Sequence, residues 1–414
     1  MDSAINILGM ISFWTAILWL PIAIYLGTLA LLASPLRQPP RRRQPTRRFV
    51  IVVPAHNEEL SISTTVKNLF AVDYPSELRR VVVVADNCTD TTVDKARAAG
   101  AEVVERNDTN KHGKGYALDY VFTKLIEHDD FDAVVVVDAD TIVSANLLDA
   151  FDNRLEAGAL AVQAEYGVRN IHDSWRTKLI AIALAMFHHT RSLARERLHV
   201  SVGLRGNGMC FARSLLKNHP HRVHSLVEDV EFGIVIGLAG IRVAYASEAE
   251  VLGEMATSGK AAVSQRRRWE VGRWVLVRQY LGNLIAQAFR RRSLTLADLA
   301  MDIMVPPLSY VGLVIAGGLS LETVISLWRI SDGAESWMWI GTSGWLWVSA
   351  AACLGLYVLR GVQYSGLGVA GLGVLMFAPV YVLWKVVIAR PFRQRSVKSW
   401  VRTQRESETV PEDE

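Results

Sequence analysis

Residues 133–140 read A-V-V-V-V-D-A-D. An alanine and four valines end abruptly on two aspartates separated by one residue. A valine run closed by turn-forming residues fits a strand buried on both faces. Similar runs come before it: FVIVV at 49–53, stopped by Pro54; VVVV at 81–84, followed by Asp86 and Asn87; and AEVVE at 101–105. Between them, 58–70, 91–99 and 115–127 carry helical patterns. This alternation predicts an α/β domain with a parallel sheet covered on both faces. In such sheets ligands gather beyond the carboxyl ends of the strands. That rule singles out Pro54, His56, Asn57 and Glu58, then Asp86, then Asp138 and Asp140. No G-x-G-x-x-G follows the first run and no G-x-x-x-x-G-K-[ST] occurs, so the usual dinucleotide fingerprint and the P-loop are excluded.

Outside 48–290 the composition changes. No charged residue occurs from 3 to 36, and uncharged windows recur at 303–321, 336–359 and 361–384. Such windows match a hydrocarbon core about 30 Å thick. Trp337, Trp339, Trp345, Trp347, Tyr381 and Trp384 lie in them, as rings do at headgroup depth. The first window is too long for a signal peptide and lacks a basic start and a cleavage site, so it is expected to be a span. Arginines at 37, 41–43, 47 and 48 follow it and place the next domain on the cytoplasmic side. Cys88, Cys210 and Cys353 are scattered, as expected of reduced thiols. A net charge of +4 gives no reason to expect nucleic acid, and the basic runs beside the spans suit anionic lipid. One span before the domain and three after it would leave Arg390, Arg393 and Arg395 outside, against the same rule. Either the segment with Pro306 and Pro307 does not cross simply, or one window lies in the interface.

Several groups could carry chemistry. Asp138 and Asp140, two apart at a strand end, form a carboxylate pair suited to a hard divalent ion, Mg2+ or Mn2+. Asp86 could accept from a nucleobase or ribose, or cap the helix after Thr89, a role open also to Thr89 and Asp90. Lys114, at a helix start after Gly113, suits a phosphate or is a solvated lysine. Glu228 and Asp229 open an apolar helix; they complement its dipole, or one is a general base. Gly206, Asn207 and Gly208 form a flexible turn able to line an acceptor pocket. His219, His221 and His224 lack metal-ligand spacing. Residues 174–197 look amphipathic and are expected to lie near the membrane or border an acceptor channel, or to pack on the sheet. Residues 264–274, S-Q-R-R-R-W-E-V-G-R-W, supply cations and indoles; Arg266, Arg267, Arg273 and Trp274 suit an interfacial helix with snorkelling cations.

The order of these features is similar to that of the membrane-bound glycosyltransferase family 2: Asn57-Glu58, Asp86, Lys111-x-Gly-Lys114, Asp138-x-Asp140, Glu228-Asp229, Gln265-x-x-Arg268-Trp269, then spans. The family includes cellulose, hyaluronan, chitin and poly-N-acetylglucosamine synthases and ceramide glucosyltransferase. The resemblance implies a GT-A, Rossmann-like nucleotide-sugar domain inserted between transmembrane helices. It divides the chain into a span at 4–34, a basic linker at 35–47, the catalytic domain at 48–258, interfacial helices with the Q-x-x-R-W motif at 259–295, carboxyl-terminal spans at 299–389 and a charged tail at 390–414. It implies an inverting enzyme of a bacterial plasma membrane, its catalytic domain cytoplasmic, using a nucleotide sugar, a UDP-sugar first, and a divalent metal. Pro54, Asn57, Glu58, Asp86, Lys114, Asp138 and Asp140 would bind the donor, Asp138 and Asp140 also the metal. Glu228, Asp229, Gln265, Arg268 and Trp269 would form the catalytic group, with Asp229 as base. Gly206, Asn207, Gly208 and Trp269 would meet the acceptor, a glycan or a lipid. The first expectation is extracellular or capsular polysaccharide synthesis; the alternative is a single transfer to a membrane lipid. Val227 stands where the family has Thr, and Gly-Asn-Gly-Met departs from the cellulose- and hyaluronan-synthase acceptor loops.

Overall fold

The computed structural model describes residues 2–37, 45–255, 259–331 and 341–389, with side chains from 4 onward except at 259–267 and 384–389. The valine-rich runs form β1 (Phe49–Ala55), β2 (Arg79–Asp86), β3 (Glu102–Arg106) and β4 (Ala133–Val136). They are parallel, in the order β3-β2-β1-β4. The intervening helices are Ile62–Phe70, Thr92–Ala98 and Lys114–His128. Strand periodicity explains the double cover. Phe49, Ile51 and Val53 enter one core with Val66, Leu69 and Phe151, while Val50 and Val52 enter another with Leu118, Val121, Phe122 and Phe232.

The rest of the sheet is mixed, which the valine runs do not foretell. It adds β5 (Ile142–Val143), β6 (Ala161–Val168), β7 (Met209–Ala212) and β8 (Val243–Gly253), in the full order β3-β2-β1-β4-β7-β6-β8-β5. β7 runs antiparallel to β4 and β6, and β5 antiparallel to β8. Because β7 is reversed, Met209 at its start pairs with Val136 at the end of β4. The glycine turn before β7 is thereby laid beside Asp138.

Three helices among the described residues are long and apolar enough to cross a bilayer: Ala4–Leu32, Leu308–Ser331 and Thr342–Tyr364. They pack through Ala16, Ala23, Val311, Ile315, Trp347 and Ala350. Gly318 lies so close under Trp347 that a Cβ there would overlap the indole. Ser12 Oγ donates to Glu322 at 2.5 Å and accepts from Trp347 Nε1 at 3.0 Å, so the one carboxylate in these helices is partnered within the bundle. Trp14, Leu18, Leu31 and Leu327 face outward, as lipid-facing residues do.

The window at 361–384 is not one helix. The chain turns at Ser365, takes positive φ at Gly366 and Gly368, and restarts as Ala370–Val374 and then Ala378–Ala389. If all three long apolar helices cross, one before the domain and two after it, the domain and the segment after Tyr364 lie on one side, as the basic tail asks. The tail itself, 390–414, lies outside the described residues, as do Arg41, Arg42 and Arg43. The rest of the basic linker includes domain contacts: Arg47 pairs with Asp152 at 2.5 Å and Glu156 at 2.7 Å, and Arg48 with Asp130 at 2.7 Å.

The segment 174–197 forms Trp175–Leu184, a π-helical turn at Ala185–Thr190, and Arg191–Arg197. Ser174 opens it with a capping box shared with Thr177. It packs between a candidate span and the sheet. Met186 presses on Gly361 of a candidate span, and Leu193 enters the core beneath the sheet. Residues 259–295 form the long helix Gly259–Arg291 and the start of Leu294–Met304, both packed on the helix Glu228–Leu238 through Val227, Ile234, Leu276 and Leu299.

Candidate active site

The ends of β1 and β2 are fastened together. Asn57 and Asn87 both take the left-handed conformation, with φ of 56° and 53°. Asn57 Oδ1 accepts from Thr89 N at 2.7 Å, His56 Nδ1 lies 2.7 Å from Asp86 O, and Glu58 N donates to Thr92 Oγ1 at 2.7 Å. Pro54 is in register with Val84. The Glu58 carboxylate accepts from Ser61 Oγ at 3.3 Å. Asp90, not Asp86, serves the following helix, accepting from Thr92 N at 2.9 Å. Asp86 is buried, and its Oδ1 accepts from Arg106 Nη1 at 2.5 Å. Arg106 also donates to Lys111 O at 2.8 Å, so the Asp86 carboxylate is oriented by a cation that ties down the loop before Lys114. The signal for Arg106 was a charge closing an apolar strand run in register with Asp86.

Lys114 opens its helix after Gly113, at φ 124°. Its Nζ donates to Asp138 Oδ1 and, at 2.5 Å, to Gly206 O. Burial works against its proton, but Asp138, Glu228 and Asp229 together raise its pKa. Gly206 takes φ +79°, and a Cβ there would lie 3.2 Å from Asp229 Oδ2 and 3.9 Å from Lys114 Nζ. Gly206 is therefore wedged between the cation and the expected base. Asp140 lies in the same turn, where Thr141 Oγ1 approaches its Oδ1 at 3.5 Å.

Asn207 and Gly208 differ from the expected acceptor-pocket roles. The Asn207 side chain is fully buried. Its Oδ1 accepts from Asp138 N at 3.1 Å and its Nδ2 donates to Thr141 Oγ1 at 2.7 Å. It holds the D-x-D turn and leaves no amide group to point at an acceptor. Gly208 is required by packing, because a Cβ there would lie 2.7 Å from Val251 and 3.2 Å from Ala164. Only Gly206 of the three borders the open chemistry.

Glu228 and Asp229 occupy the first turn of the helix Glu228–Leu238. Burial, then the neighbouring Asp229, pushes the Glu228 carboxyl up to about 7, against the pull of Lys114 and Arg268. Burial also raises Asp229, opposed by the Val230 amide, Lys114 and Arg205. Arg268 is half-buried and close enough to Glu228 and Tyr166 to act on both. Trp269, the next residue, is 38% exposed. The side chain of Gln265 lies outside the described residues, and so do those of Arg266 and Arg267. Trp274 is exposed, as an interfacial indole should be. Arg273 is not a snorkelling cation: it turns inward onto the carbonyls of Asp302 and Ile303.

Tyr166 carried no signal beyond its place in a strand. Burial and the nearby Asp138 and Asp140 carboxylates push its phenol up, and it shares a hydrogen bond with Asn207. Gln163, also missed, donates to Asn207 O at 2.7 Å and accepts from Arg205 N at 2.9 Å. The histidines are dispersed. His221 packs in the core against Phe232, and His224 stacks on Tyr116 with 4.1 Å between ring centres.

A model described as glycosyltransferase like family 2 matches residues 45–272. The chain is 25% identical over 242 residues to the probable glycosyltransferase YdaM of Bacillus subtilis (strain 168), covering 56% of each. It is 28% identical over 237 residues to the beta-monoglucosyldiacylglycerol synthase of Synechocystis sp. (strain ATCC 27184 / PCC 6803 / Kazusa), covering 55% of this chain and 48% of that protein. The chain thus spans about half the length of the curated relatives it matches. Among solved structures, the mannosyltransferase PcManGT from Pyrobaculum calidifontis, in complex with GDP-Man and Mn2+, is similar in fold, with a TM-score of 0.52 at 20% identity over 93% of this chain and 99% of that one. The family match takes in more than half of the chain and every site residue from Pro54 to Trp269, and this protein belongs to the family 2 glycosyltransferases, with a GT-A fold.

Proposed function

We propose that this chain transfers a sugar from a nucleotide sugar, a UDP-sugar first, to a lipid acceptor at the cytoplasmic face of a bacterial plasma membrane, with inversion at the anomeric carbon. One observation carries the reading. Asp229, Lys114 and Asp138 converge around Gly206, in a domain seated on the ends of candidate spans.

The residues present fit a divalent ion. Asp138 and Asp140 offer hard oxygen donors at one strand end, and Asp138 already draws the ammonium of Lys114. Mg2+ or Mn2+ takes one or two carboxylates and completes its shell from substrate phosphates. When bound, the ion supplies positive charge to the departing diphosphate. Lys114 and Arg268 add fixed cations on the same side. Asp86, oriented by Arg106, faces the base or ribose of the donor. The acceptor hydroxyl loses its proton to Asp229 as its oxygen bonds to the anomeric carbon. The bond from that carbon to the diphosphate oxygen breaks on the opposite side, and the nucleoside diphosphate leaves with the electron pair. Preorganised charge and positioning supply most of the acceleration.

Export of a growing polysaccharide, the first expectation from the resemblance, asks for a passage between spans. The three candidate spans instead meet through Trp347, Gly318 and Ala16, which favours single transfer. A relative named for a diacylglycerol glycolipid supports a lipid acceptor. The test is nucleotide release by the purified full chain in lipid nanodiscs, across a panel of nucleotide sugars with Mg2+ or Mn2+, with the product weighed by mass spectrometry. One donor should give release that EDTA abolishes, and Asp229→Asn should lose transfer while still binding nucleotide. No release from any donor would overturn the enzyme reading, and a ladder of product masses would overturn single transfer.

A further inference from the structure

The junction between the catalytic domain and the spans is built from guanidinium groups. Arg191 Nη1 pairs with Asp302 Oδ1 at 2.8 Å, and its Nε donates to Tyr357 Oη at 2.7 Å. Arg195 pairs with Asp302 at 2.8 Å and Asp298 at 3.0 Å, and donates to Tyr25 Oη at 2.7 Å. Arg273 binds two carbonyls on the same helix, Leu294–Met304. Arg205 completes the group. Its guanidinium lies 4.4 Å from the centre of the Phe187 ring, and that of Arg191 lies 4.6 Å from the same ring. Four cations thus surround two carboxylates, and Arg191 and Arg195 take both.

Arg205 is left without an acidic partner among the described residues. It is 7% exposed, and its Nη2 donates to Val202 O at 3.0 Å. Its Nε is buried with no hydrogen-bond partner among the described residues. His188, whose ring lies 5.2 Å from Tyr166, has its Nδ1 buried and unpartnered in the same way. A charged donor left unsatisfied in the interior is costly, so such a group calls for an occupant. Burial, reinforced by Arg195 and Arg191, lowers the Arg205 pKa to about 10, although Asp302 and Asp229 oppose this. A planar guanidinium in this condition selects a phosphate or carboxylate, whose paired oxygens match its fork. Its position decides which substrate carries that anion. Arg205 immediately precedes Gly206, which faces Asp229, and its cluster continues through Arg191 and Arg195 to Tyr357 and Tyr25 on two candidate spans.

The geometry points to a headgroup site: Arg205, with His188 beside it, holds a phosphate or carboxylate of the acceptor lipid while that lipid presents its nucleophile to Asp229. This rests on the lipid-acceptor reading given above. The anion lies at the acceptor end, across Gly206 from the Lys114–Asp138 pair assigned to the donor.

The test uses the full chain in neutral phosphatidylcholine nanodiscs with its best donor. Four probes are compared: phosphatidylglycerol, 12-hydroxystearic acid, dioleoylglycerol and soluble glycerol 3-phosphate. Sugar transfer and donor hydrolysis are measured separately. An anionic lipid should be preferred over dioleoylglycerol by at least about 10-fold in kcat/KM. Phosphatidylglycerol against 12-hydroxystearic acid tells phosphate from carboxylate, and glycerol 3-phosphate should be a poor acceptor. At a pH above the acid limb, where losing the pull of Arg205 on Asp229 leaves the base ionised, Arg205→Gln should raise KM for the anionic lipid by a similar factor and leave KM for the neutral acceptor unchanged, and Arg205→Lys should recover part of the loss. The preferred anionic lipid should also raise the Tm of the wild-type chain more than dioleoylglycerol does, a readout that does not depend on a variant folding. A wild-type preference for dioleoylglycerol, equal use of soluble glycerol 3-phosphate, or an Arg205→Gln loss spread over all acceptors and donor hydrolysis would overturn the headgroup site. Donor hydrolysis continuing without any anion preference would do so while leaving the glycosyltransferase reading intact.

Discussion

Gly206→Ala, compared with Gly240→Ala, isolates the contact on which the proposed base depends. Both glycines are left-handed, with φ of +79° and +85°. An L side chain in that region costs about 1–2 kcal/mol at either position. Their surroundings differ. At Gly240 a Cβ meets nothing within 4 Å, whereas at Gly206 it lies 3.2 Å from Asp229 Oδ2. That oxygen must move by a few tenths of an ångström, while Lys114 Nζ, 3.9 Å away, stays in ordinary van der Waals contact. A 1 Å misplacement of a reacting group costs on the order of 10²-fold, so this smaller shift should cost about 10-fold in kcat. Unfolding in detergent should show similar destabilisation for the two variants. Initial rates of nucleotide release should fall for Gly206→Ala alone, with little change in nucleotide Kd. Equal kcat for both variants would refute the placement of Asp229 at the reacting centre.

Other expectations follow from the same contacts. Asn207→Ala removes the bonds to Asp138 N and Thr141 Oγ1, at about 1–3 kcal/mol for the buried groups left unpaired. It should weaken metal-dependent donor binding about 10-fold and leave acceptor KM unchanged, and a selective rise in acceptor KM would contradict its assignment to the D-x-D turn. Burial pushes Asp302 up, but Arg195 and Arg191 outweigh it and hold the carboxyl well below its usual range. Its stabilisation is therefore present above the unfolded carboxylate range and lost as pH falls through the lower folded value. Asp302→Asn leaves two buried arginines short of a partner and should cost about 3–5 kcal/mol in chemical unfolding; a loss under about 1 kcal/mol would show that the cluster does not hold the junction together. A general base must be ionised, and both carboxyls of the Glu228–Asp229 pair are raised. The acid limb of kcat/KM should therefore lie above the ordinary carboxylate range and shift to lower pH in Glu228→Gln. A limb at pH 4 in the wild type would refute the pair's role.

Much of the donor half was legible because it is local. Valine runs marked β1, β2 and β4, and the rule for carboxyl ends of strands selected Asn57, Asp86, Asp138 and Asp140 from within a few residues of them. The acceptor half was less legible because distant segments build it. Gln163, Tyr166 and Arg205 each sit in unremarkable sequence, and Gln163 reaches Asn207 and Arg205 across 44 and 42 residues. The stretch 264–274 shows how a compositional reading errs. Arg266, Arg267 and Arg273 suggested snorkelling cations, yet Arg273 turns inward to the carbonyls of Asp302 and Ile303 while Trp274, its neighbour, stays exposed. Helical phase places two adjacent residues in different surroundings, and only the packing partner decides which is buried.

The reversal of β7 ties these two halves together. Had β7 run parallel to β4, the chain after it, starting at Arg213, would lie beside Asp138. Antiparallel pairing of Val136 with Met209 instead brings Gly206 and Asn207 to the carboxyl end of β4. Asn207 then fixes the Asp138 amide, Gly206 accepts from Lys114, and its vacant Cβ position admits Asp229. The carboxylate turn, the leaving-group cation and the base therefore share one three-residue loop, with Arg205 at its edge linking it to the arginine cluster on the spans. A shift of the acceptor-side arginines should reach the donor carboxylates through that loop alone, without any movement of the parallel half of the sheet. The candidate spans meet the segment 174–197, which packs on β6 and β8, so the domain is anchored beside β7, the strand whose preceding loop carries both proposed halves of the reaction.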